Sequence, residues 1–367
     1  MEIVVNRDHL LPVLSRGAGV VERRQTLPIL GNMLIRAAES CMVVVSTDLE
    51  VEVRGSCQAQ IFQPGEVTVP ARKFLDIVRN LPDGSDLRLK MTGERCQIVS
   101  GRGRYVLGTL PAADFPLMQP EPETREFAVE ESSFRRLLEK TWFAMAQQDV
   151  RYYLNGLLLE VDATGIRGVS TDGHRLARFD LLVALEWDGE KCSVIVPYKT
   201  VMELRRQVSV SASPVRIAVG DRAIRFEIGD LVTTSKLIDG RFPEYERVIS
   251  VALGRKAVLA KERLKGALTR ASVLSNEKYR GIRLEFQRNI LRLQAHNPEQ
   301  EEAVEEMDVA LDGEPVTLGF NVGYLADVLG AAEGEQVEVW FEDGNTSSIW
   351  RGLDAPEEAF VVMPMRL

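Results

Sequence analysis

The chain has 367 residues, of which 45% are hydrophobic and 27% are charged, and its formal net charge is −9. No run approaches the ~18 apolar residues of a transmembrane helix, and the N-terminus lacks the basic start and apolar core of a signal peptide. We therefore expect a soluble, cytoplasmic protein, long enough for two or three domains that each bury a core.

The four cysteines have no metal-ligand spacing, and we expect them as reduced thiols in strands or in the core: Cys41, Cys57, Cys96 and Cys192. The acidic net charge argues at first sight against a nucleic-acid partner. The charge is uneven, however. Segments of helical periodicity carry 15 Lys or Arg against 6 Asp or Glu, counted over 7–18, 72–81, 132–146, 199–208, 261–272 and 322–332. The helices are therefore predicted to be basic, and the sheets and loops acidic.

One short loop recurs three times along the chain. Asp172, within Thr171-Asp172-Gly173-His174-Arg175-Leu176, aligns with Asp48 and with Asn297 at a period of about 125 residues. A period of this length corresponds to one domain. The sequence therefore predicts three copies of one fold.

Four landmarks keep this register in chain order. Each third opens with a strand that runs into an amphipathic helix, at 3–19, 127–145 and 258–274. A strand pair that contains the recurring loop follows, at 33–53, 156–178 and 281–303, and then a strand that ends in a helix, at 67–75, 193–199 and 316–322. A closing strand covers 105–110, 231–237 and 360–364. We therefore predict three α+β domains, 1–124, 125–251 and 252–367, each with two helices and antiparallel β-sheets.

Basic residues on the predicted helices form a candidate phosphate-binding surface. They are Arg72, Lys73, Arg79, Arg135, Arg136, Lys140, Lys199, Arg205, Arg206 and Lys265. The adjacent Tyr152 and Tyr153 follow Gln148 and Arg151, a combination that suits base stacking and phosphate contact, although such a pair also fits a partly buried core. If the helices face inward in a ring, they would hold duplex DNA by its phosphates without reading its sequence.

The recurring loop also raises the hypothesis of a DNA-modifying hydrolase that uses Asp172 and His174. The two residues lie only two positions apart, and the chain has no G-x-S-x-G nucleophile motif. His9 and His296 are the only other histidines, so a metal site lacks further histidine ligands nearby in sequence. We expect His174 to shape a loop or to line a groove, and we expect no cofactor and no metal.

The two ends of the chain offer complementary surfaces. The first third has Lys73, Arg95 and Arg104 near Tyr105 and Leu107. The last third has an acidic strand beginning near Asn297 and, elsewhere, the apolar pair Val273-Leu274. A head-to-tail contact that closes by two-fold symmetry would give a ring of six domains. A ring-shaped scaffold that never encloses DNA is the alternative. The apolar C-terminal tail, 361–367, suggests exposed Met and Val at a contact groove.

Eight stretches carry a resemblance to a known family, and they span the chain: TLPILGN at 26–32, TVPARK at 68–73, TLPAADFP at 109–116, QDVRYYLNG at 148–156, TDGHRLA at 171–177, LSNEKYRG at 274–281, NPEQEE at 297–302 and VVMPMRL at 361–367. The sequence resembles the bacterial DNA polymerase III β subunits, the sliding clamps. The resemblance implies a non-catalytic processivity factor, a homodimeric ring, that encircles duplex DNA. It also implies partners that bind through short peptides: the clamp loader, replicative and translesion polymerases, and repair proteins.

The resemblance further implies three sets of site residues. The peptide groove would be lined by Leu154, Thr171, Gly173, His174, Arg175, Leu176, Pro243, Arg247, Val248, Tyr279, Asn321, Tyr324, Ser347, Val361, Val362, Met363, Pro364, Met365 and Arg366. The DNA contacts would include Arg24, Gln148, Tyr152 and Tyr153. The dimer interface would join Tyr105, Leu107, Val273 and Leu274, with Lys73, Arg95 and Arg104 opposite Glu299, Glu301 and Glu302. This sequence departs from the family pattern at two places. Gly344-Asn345-Thr346 replaces a more apolar stretch at the groove edge, and Tyr198 stands where the family often has a basic residue.

Overall fold

The computed structural model describes residues 1–21, 27–187, 189–250 and 254–366. The first third contains two helices, α1 (Arg7–Gly17) and α2 (Ala71–Arg79). Its strands are β1 (Glu2–Asn6), β2 (Asn32–Ala38), β3 (Cys41–Thr47), β4 (Val51–Gln58), β5 (Gln60–Gln63), β6 (Gly65–Pro70), β7 (Asp86–Thr92), β8 (Arg95–Ser100) and β9 (Gly103–Gly108).

The second third repeats this order with four strands between its two helices instead of five, within the described residues. Its helices are α3 (Glu131–Thr141) and α4 (Tyr198–Gln207), and its strands are β10 (Arg125–Glu130), β11 (Gly156–Asp162), β12 (Gly165–Thr171), β13 (Arg175–Leu182), β14 (Cys192–Pro197), β15 (Pro214–Val219), β16 (Ala223–Ile228) and β17 (Leu231–Lys236).

The last third repeats it again after a short helix, α5 (Glu246–Ile249). The two long helices are α6 (Lys261–Ser272) and α7 (Val322–Ala331). The strands are β18 (Arg255–Ala260), β19 (Gly281–Phe286), β20 (Ile290–His296), β21 (Glu302–Asp308), β22 (Ala310–Asp312), β23 (Val316–Asn321), β24 (Gln336–Phe341), β25 (Ser348–Gly352) and β26 (Glu358–Val362). All four predicted landmarks are therefore confirmed in all three thirds.

The helices follow from local sequence signals. The Asn6 side chain accepts a hydrogen bond from the Asp8 N–H and caps α1, and Asn321 caps α7 in the same way through the N–H groups of Gly323 and Tyr324. In α2 the buried side chains Phe74, Leu75 and Val78 follow the helical period. None of the helices in the described ranges is long and apolar enough to cross a membrane.

The chain packs as two compact units. The first unit comprises Met1–Arg135, Leu185–Asp188 and Lys199–Leu237. It holds an eight-stranded sheet of order β10-β15-β16-β17-β4-β3-β2-β6 and a five-stranded sheet of order β5-β1-β7-β8-β9. Strands β4 and β17 pair antiparallel, so the first two thirds share one continuous sheet. The thirds seen in the sequence therefore do not coincide with the units seen in the packing.

The second unit comprises Arg136–Ala184, Gly189–Tyr198 and Ile238–Leu367. Its nine-stranded sheet has the order β14-β11-β12-β13-β26-β25-β24-β18-β22, and its four-stranded sheet the order β21-β20-β19-β23. The antiparallel pair β13 and β26 joins the second third to the last. Buried aromatic side chains fill its largest core cluster, among them Phe286, Phe320, Phe341, Trp350 and Phe360.

The expectation of exposed valines in the C-terminal tail is wrong. Val361 and Val362 are 1% and 0% exposed, because β26 lies between β13 and β25 with hydrogen bonds on both sides. Exposed apolar surface begins only at Met363.

The cysteines are strand residues, as predicted. Cys41, Cys57, Cys96 and Cys192 lie in β3, β4, β8 and β14 as free thiols. Burial raises the pKa of the Cys57 and Cys96 thiols to about 11, so both are protonated at neutral pH.

Candidate functional sites

The recurring loop is a braced turn between two strands. The Asp172 carboxylate accepts hydrogen bonds from the backbone N–H groups of His174 (2.9 Å) and Arg175 (3.0 Å). The first third builds the same turn, because Asp48 accepts from the N–H groups of Glu50 (2.9 Å) and Val51 (2.7 Å). Asp172 therefore serves the turn, and the geometry gives no support to the hydrolase hypothesis.

The backbone of this turn requires a left-handed residue after the aspartate. Gly173 has a φ of 88°, and Leu49 occupies the equivalent position with a φ of 78°. Glycine takes that conformation without strain, whereas leucine is rarely found there. Among described residues, no group of three or more His, Cys, Asp or Glu side chains is arranged to hold a metal ion.

The turn contacts α7 through aromatic and charged side chains. The Arg175 guanidinium lies 4.5 Å from the centre of the Tyr324 ring and forms an ion pair with Asp327. The His174 ring stacks beside the same tyrosine at 6.5 Å. Burial raises the pKa of Tyr324 above its usual range. The structure therefore brings together three of the predicted groove residues: His174, Arg175 and Tyr324.

An apolar floor extends from this turn. Leu154, Leu176 and Val361 form one buried cluster with Phe242 and Tyr245. Val248, carried by α5, packs against that cluster and stays half-buried, while Pro243 and Arg247 are exposed. Sequence reasoning missed Phe242 and Tyr245 as groove supports, although the pattern Phe-Pro-Glu-Tyr in a linker could have indicated aromatic anchors.

Tyr245 is tied to the sheet below α5 by a polar network. Its hydroxyl donates to Glu160 at 2.5 Å and accepts from Arg167 at 3.3 Å, and Arg167 also pairs with Asp180 at 2.6 Å. Burial, and then the bond to Glu160, raise the pKa of Tyr245 to about 12. The network holds the start of α5, which carries Val248, on strands β11 to β13.

The second half of the groove is formed around the C-terminal tail. The Met363 N–H donates to the His174 carbonyl at 2.9 Å, and the Met365 N–H donates to the Gly319 carbonyl at 2.8 Å. The Asn321 amide donates to the Tyr279 carbonyl at 3.3 Å. Backbone hydrogen bonds therefore hold the tail between the turn that precedes β13 and strand β23.

The remaining predicted groove residues differ in exposure. Thr171 is buried in the turn, and its hydroxyl donates to the Arg175 carbonyl at 2.7 Å. Ser347, Pro364 and Met365 are half-buried, and Tyr279 and Arg366 are exposed. Val362 does not reach the groove surface at all. Its side chain is packed in the main core of the second unit.

Three predicted DNA-binding cations are engaged elsewhere. Lys140 is buried and lies 2.7 Å from Glu358 and 3.3 Å from Glu333. Arg136 pairs with Glu333 at 2.6 Å and with Glu357 at 2.7 Å. The Glu333 contact raises the pKa of the Arg136 guanidinium. Lys140 keeps only 8% of its side chain exposed, so its prediction as a phosphate contact is wrong. Arg136 keeps 40% of its side chain exposed, and its contact with phosphate stays a prediction.

Lys199 is the third, and it belongs to the first unit. Its ammonium pairs with Asp48 and donates to the Val20 carbonyl at 3.1 Å. It therefore braces the recurring turn of the first third. About a third of its side chain, 34%, stays exposed, and its contact with phosphate stays a prediction.

The other predicted DNA contacts vary in accessibility. Exposed side chains are found at Arg72, Lys73, Arg79, Gln148, Tyr152, Arg206 and Lys265, and half-buried ones at Arg135, Tyr153 and Arg205. Arg24 lies outside the described residues. The loop that holds Gln148 is braced by Asp149, which bonds the Arg151 side chain and backbone; these contacts lower the Asp149 pKa to about 2. Val150, 94% exposed in this loop, is a surface residue that sequence reasoning missed.

Each of the two predicted interface surfaces includes a sheet edge that has no pairing strand among the described residues. β9 is an edge of the five-stranded sheet, and β21 an edge of the four-stranded sheet. The exposed interface residues are Lys73, Arg95, Arg104, Tyr105, Val273, Glu299, Glu301 and Glu302, while Leu274 is half-buried. Leu107 is 8% exposed and packs in the core of the first third, so little of its side chain reaches the surface; its place in the interface stays a prediction.

Comparison with known proteins matches the whole chain. Three family models fit in order: the DNA polymerase III beta subunit N-terminal domain at 1–119, its central domain at 128–244 and its C-terminal domain at 247–366. The beta sliding clamp of Pseudomonas putida is 45% identical over 100% of both chains.

Solved structures agree with this result. The DNA polymerase III subunit beta of Pseudomonas aeruginosa has a TM-score of 0.96 at 44% identity, and the sliding clamp of that organism bound to griselimycin has a TM-score of 0.95 at 45% identity. Each comparison covers 100% of both chains. The chain therefore belongs to the DNA polymerase III beta subunit family, the sliding clamps.

Proposed function

We propose that two copies of this chain close head to tail into a six-domain ring that encircles duplex DNA and tethers its partners there. Membership of the sliding-clamp family over the full length carries this proposal, and it makes the protein a processivity factor in DNA replication. The proposed function is non-catalytic, and the use of Asp172 in a turn agrees with that. Its proposed location is the cytoplasm.

Ring closure is supported by the two edge strands. An unpaired edge offers a row of free backbone groups to another chain, and β9 carries Arg104 while β21 begins at Glu302. Their charges are opposite, so pairing between copies is favourable. We expect Arg104→Glu and Glu302→Lys each to shift the dimer toward monomer in sedimentation velocity, and the two changes together to restore the dimer. Single variants that stay fully dimeric would contradict this pairing.

DNA binding is supported by cations that remain accessible. Arg72, Arg79, Arg206 and Lys265 are exposed, and Gln148 and Tyr152 stand on a braced loop. Contacts of this kind recognise phosphate and bases without sequence readout. The deciding measurement is retention on circular and linear duplex DNA after loading by a clamp loader with ATP. Retention on circles at high salt with loss from linear DNA supports a topological link. Equal, salt-sensitive retention on both would overturn the ring and favour a scaffold that never encloses DNA.

The groove is proposed to bind short peptides of polymerases, the clamp loader and repair proteins. Its floor of Leu176 and Val361 is apolar, and Val248 forms a half-buried wall, as expected for a pocket that takes apolar anchors. Griselimycin, found on a Pseudomonas relative, provides a probe. We expect Val248→Glu to weaken its binding in calorimetry, while Arg288→Gln, an exposed change on a distant turn, leaves it unchanged. Unaltered binding by the Val248 variant would contradict the location.

A further inference from the structure

A second concave surface adjoins the proposed groove. A cavity of about 680 Å³ opens on the outer face of the four-stranded sheet, above Arg283 in β19 and His296 in β20. Its near wall consists of Tyr279, Met365 and Arg366, residues that are also predicted to line the groove. The cavity therefore continues the groove rather than standing apart from it.

The cavity contains two arginines for which the described part of the chain provides no ion-pair partner. Neither Arg283 nor Arg366 makes an ion pair within the described ranges. Two other arginines of the same domain are paired outside the cavity, since Arg270 lies 2.7 Å from Glu305 and Arg292 lies 3.1 Å from Glu306. Unpaired guanidinium groups in a concave surface are suited to carboxylates, which they bind with two parallel hydrogen bonds.

The acidic residues of the cavity lie at its far wall. Glu301 and Glu302 belong to the turn and strand that form the opposite side, and the Glu301 carboxylate accepts a hydrogen bond from the Asn297 amide at 2.6 Å. Both glutamates are also part of the proposed contact with the basic strand of a second copy. In the dimer their charge is thereby balanced, which leaves the near wall cationic.

We propose that a partner peptide anchored in the groove continues over this cavity with an acidic flank, which pairs with Arg366 and Arg283. The inference rests on the proposed peptide groove and adds a specificity to it: a preference for glutamate or aspartate on one side of the apolar anchor. Exposed ion pairs are individually weak, and two of them in the middle of their usual range correspond to about a fivefold gain in affinity, which salt weakens.

The test uses the full-length protein and synthetic peptides. A random peptide library selected on the protein supplies an anchor segment that binds the groove. That segment is made with a run of glutamates, or with an equal run of glutamines, at its amino end and, separately, at its carboxyl end. Fluorescence anisotropy should show about fivefold tighter binding for glutamates at one end only, with the gain lost in Arg283→Gln combined with Arg366→Gln.

Two controls separate this inference from the groove itself. Arg288→Gln removes an exposed arginine of the same domain away from the cavity and should keep the full gain. The glutamine peptides should bind the wild type and Arg283→Gln equally. Because Arg366 also lines the groove, the gain in the double variant is taken as the ratio of its glutamine to its glutamate dissociation constants, so that a change in anchor binding cancels. Equal binding of glutamate and glutamine peptides, or a gain that survives the double variant, would overturn the acidic-flank inference and leave the groove standing. Failure of the library to yield any peptide that Val248→Glu weakens would overturn the groove.

Discussion

Replacing Lys140 by methionine tests whether its charge serves the fold or the DNA. The ammonium lies 2.7 Å from Glu358, whose side chain has 0% exposure. Methionine keeps most of the aliphatic length and leaves that carboxylate without its cation. Removing one partner of a buried pair costs ~3–5 kcal/mol. Because Gly352 and Glu333 still donate backbone hydrogen bonds to Glu358, we expect the lower end, about 3 kcal/mol.

The assay is urea unfolding of the full-length protein, followed by tryptophan fluorescence. Combining Lys140→Met with Glu358→Gln removes both charges, and we expect it to recover at least half of the lost free energy, because no uncompensated charge remains. Arg135→Met, a half-buried neighbour on the same helix, is the control and should change the free energy of unfolding by less than ~0.5 kcal/mol. A loss below ~1 kcal/mol for Lys140→Met, or an undiminished loss in the double variant, would refute the reasoning.

Three further predictions follow from the same contacts. Lys265→Glu should weaken retention on DNA and make the dependence of DNA affinity on salt concentration shallower, whereas Lys140→Met should leave that dependence unchanged. The same salt dependence in the wild type and in Lys265→Glu would contradict a phosphate contact. Tyr245→Phe removes the hydroxyl that is bonded to Glu160 and should weaken peptide binding about threefold to tenfold through a faster off-rate. The midpoint of overall unfolding should stay nearly the same, and an unchanged off-rate would mean that the network does not position α5. The Arg136 contact holds the pKa of Glu333 below its usual value near 4.5. The stability that this ion pair contributes is therefore complete above pH 4.5 and is lost as the pH falls through the lowered pKa of the folded state. Glu333→Gln should reduce the pH dependence of the free energy of unfolding in that acidic range, and an unchanged dependence would contradict the assignment.

The repeat was predictable because its signals are local. Asp48 and Asp172 each cap a turn within three residues of themselves, and the strand-to-helix landmarks depend on neighbouring residues only. Short-range periodicity and turn chemistry therefore specified every predicted landmark.

The sharing of sheets could not be predicted in the same way. The pairing of β4 with β17 joins residues such as Val51 and Ser235 that are far apart in the chain. The residues of an alternating strand do not determine which of several edge strands it will pair with.

The structure brings some candidate site residues together, such as His174, Arg175 and Tyr324, and engages or buries others, and these differences share one cause. Lys140 and Lys199 were assigned to DNA because they are basic residues on helices, yet their partners, Glu358 and Asp48, lie far away in sequence. Val362 and Leu107 were assigned to surfaces because of their position in motifs, while sheet packing turns both inward. Charge and hydrophobicity predict a candidate, but long-range packing decides whether a side chain reaches the surface.

The continuity of the sheets across the repeats also limits how the chain can be divided. Domains that arise by duplication can often be cut apart at their linkers and produced alone. Here a fragment ending at residue 124 would uncover β4 along Val51–Gln58, and one beginning at 125 would uncover β17, each losing its neighbour in the same ladder. A long uncovered edge invites association with other chains. The threefold repeat of the sequence therefore does not correspond to separable parts, and shortened versions of the chain should keep β4 and β17 together.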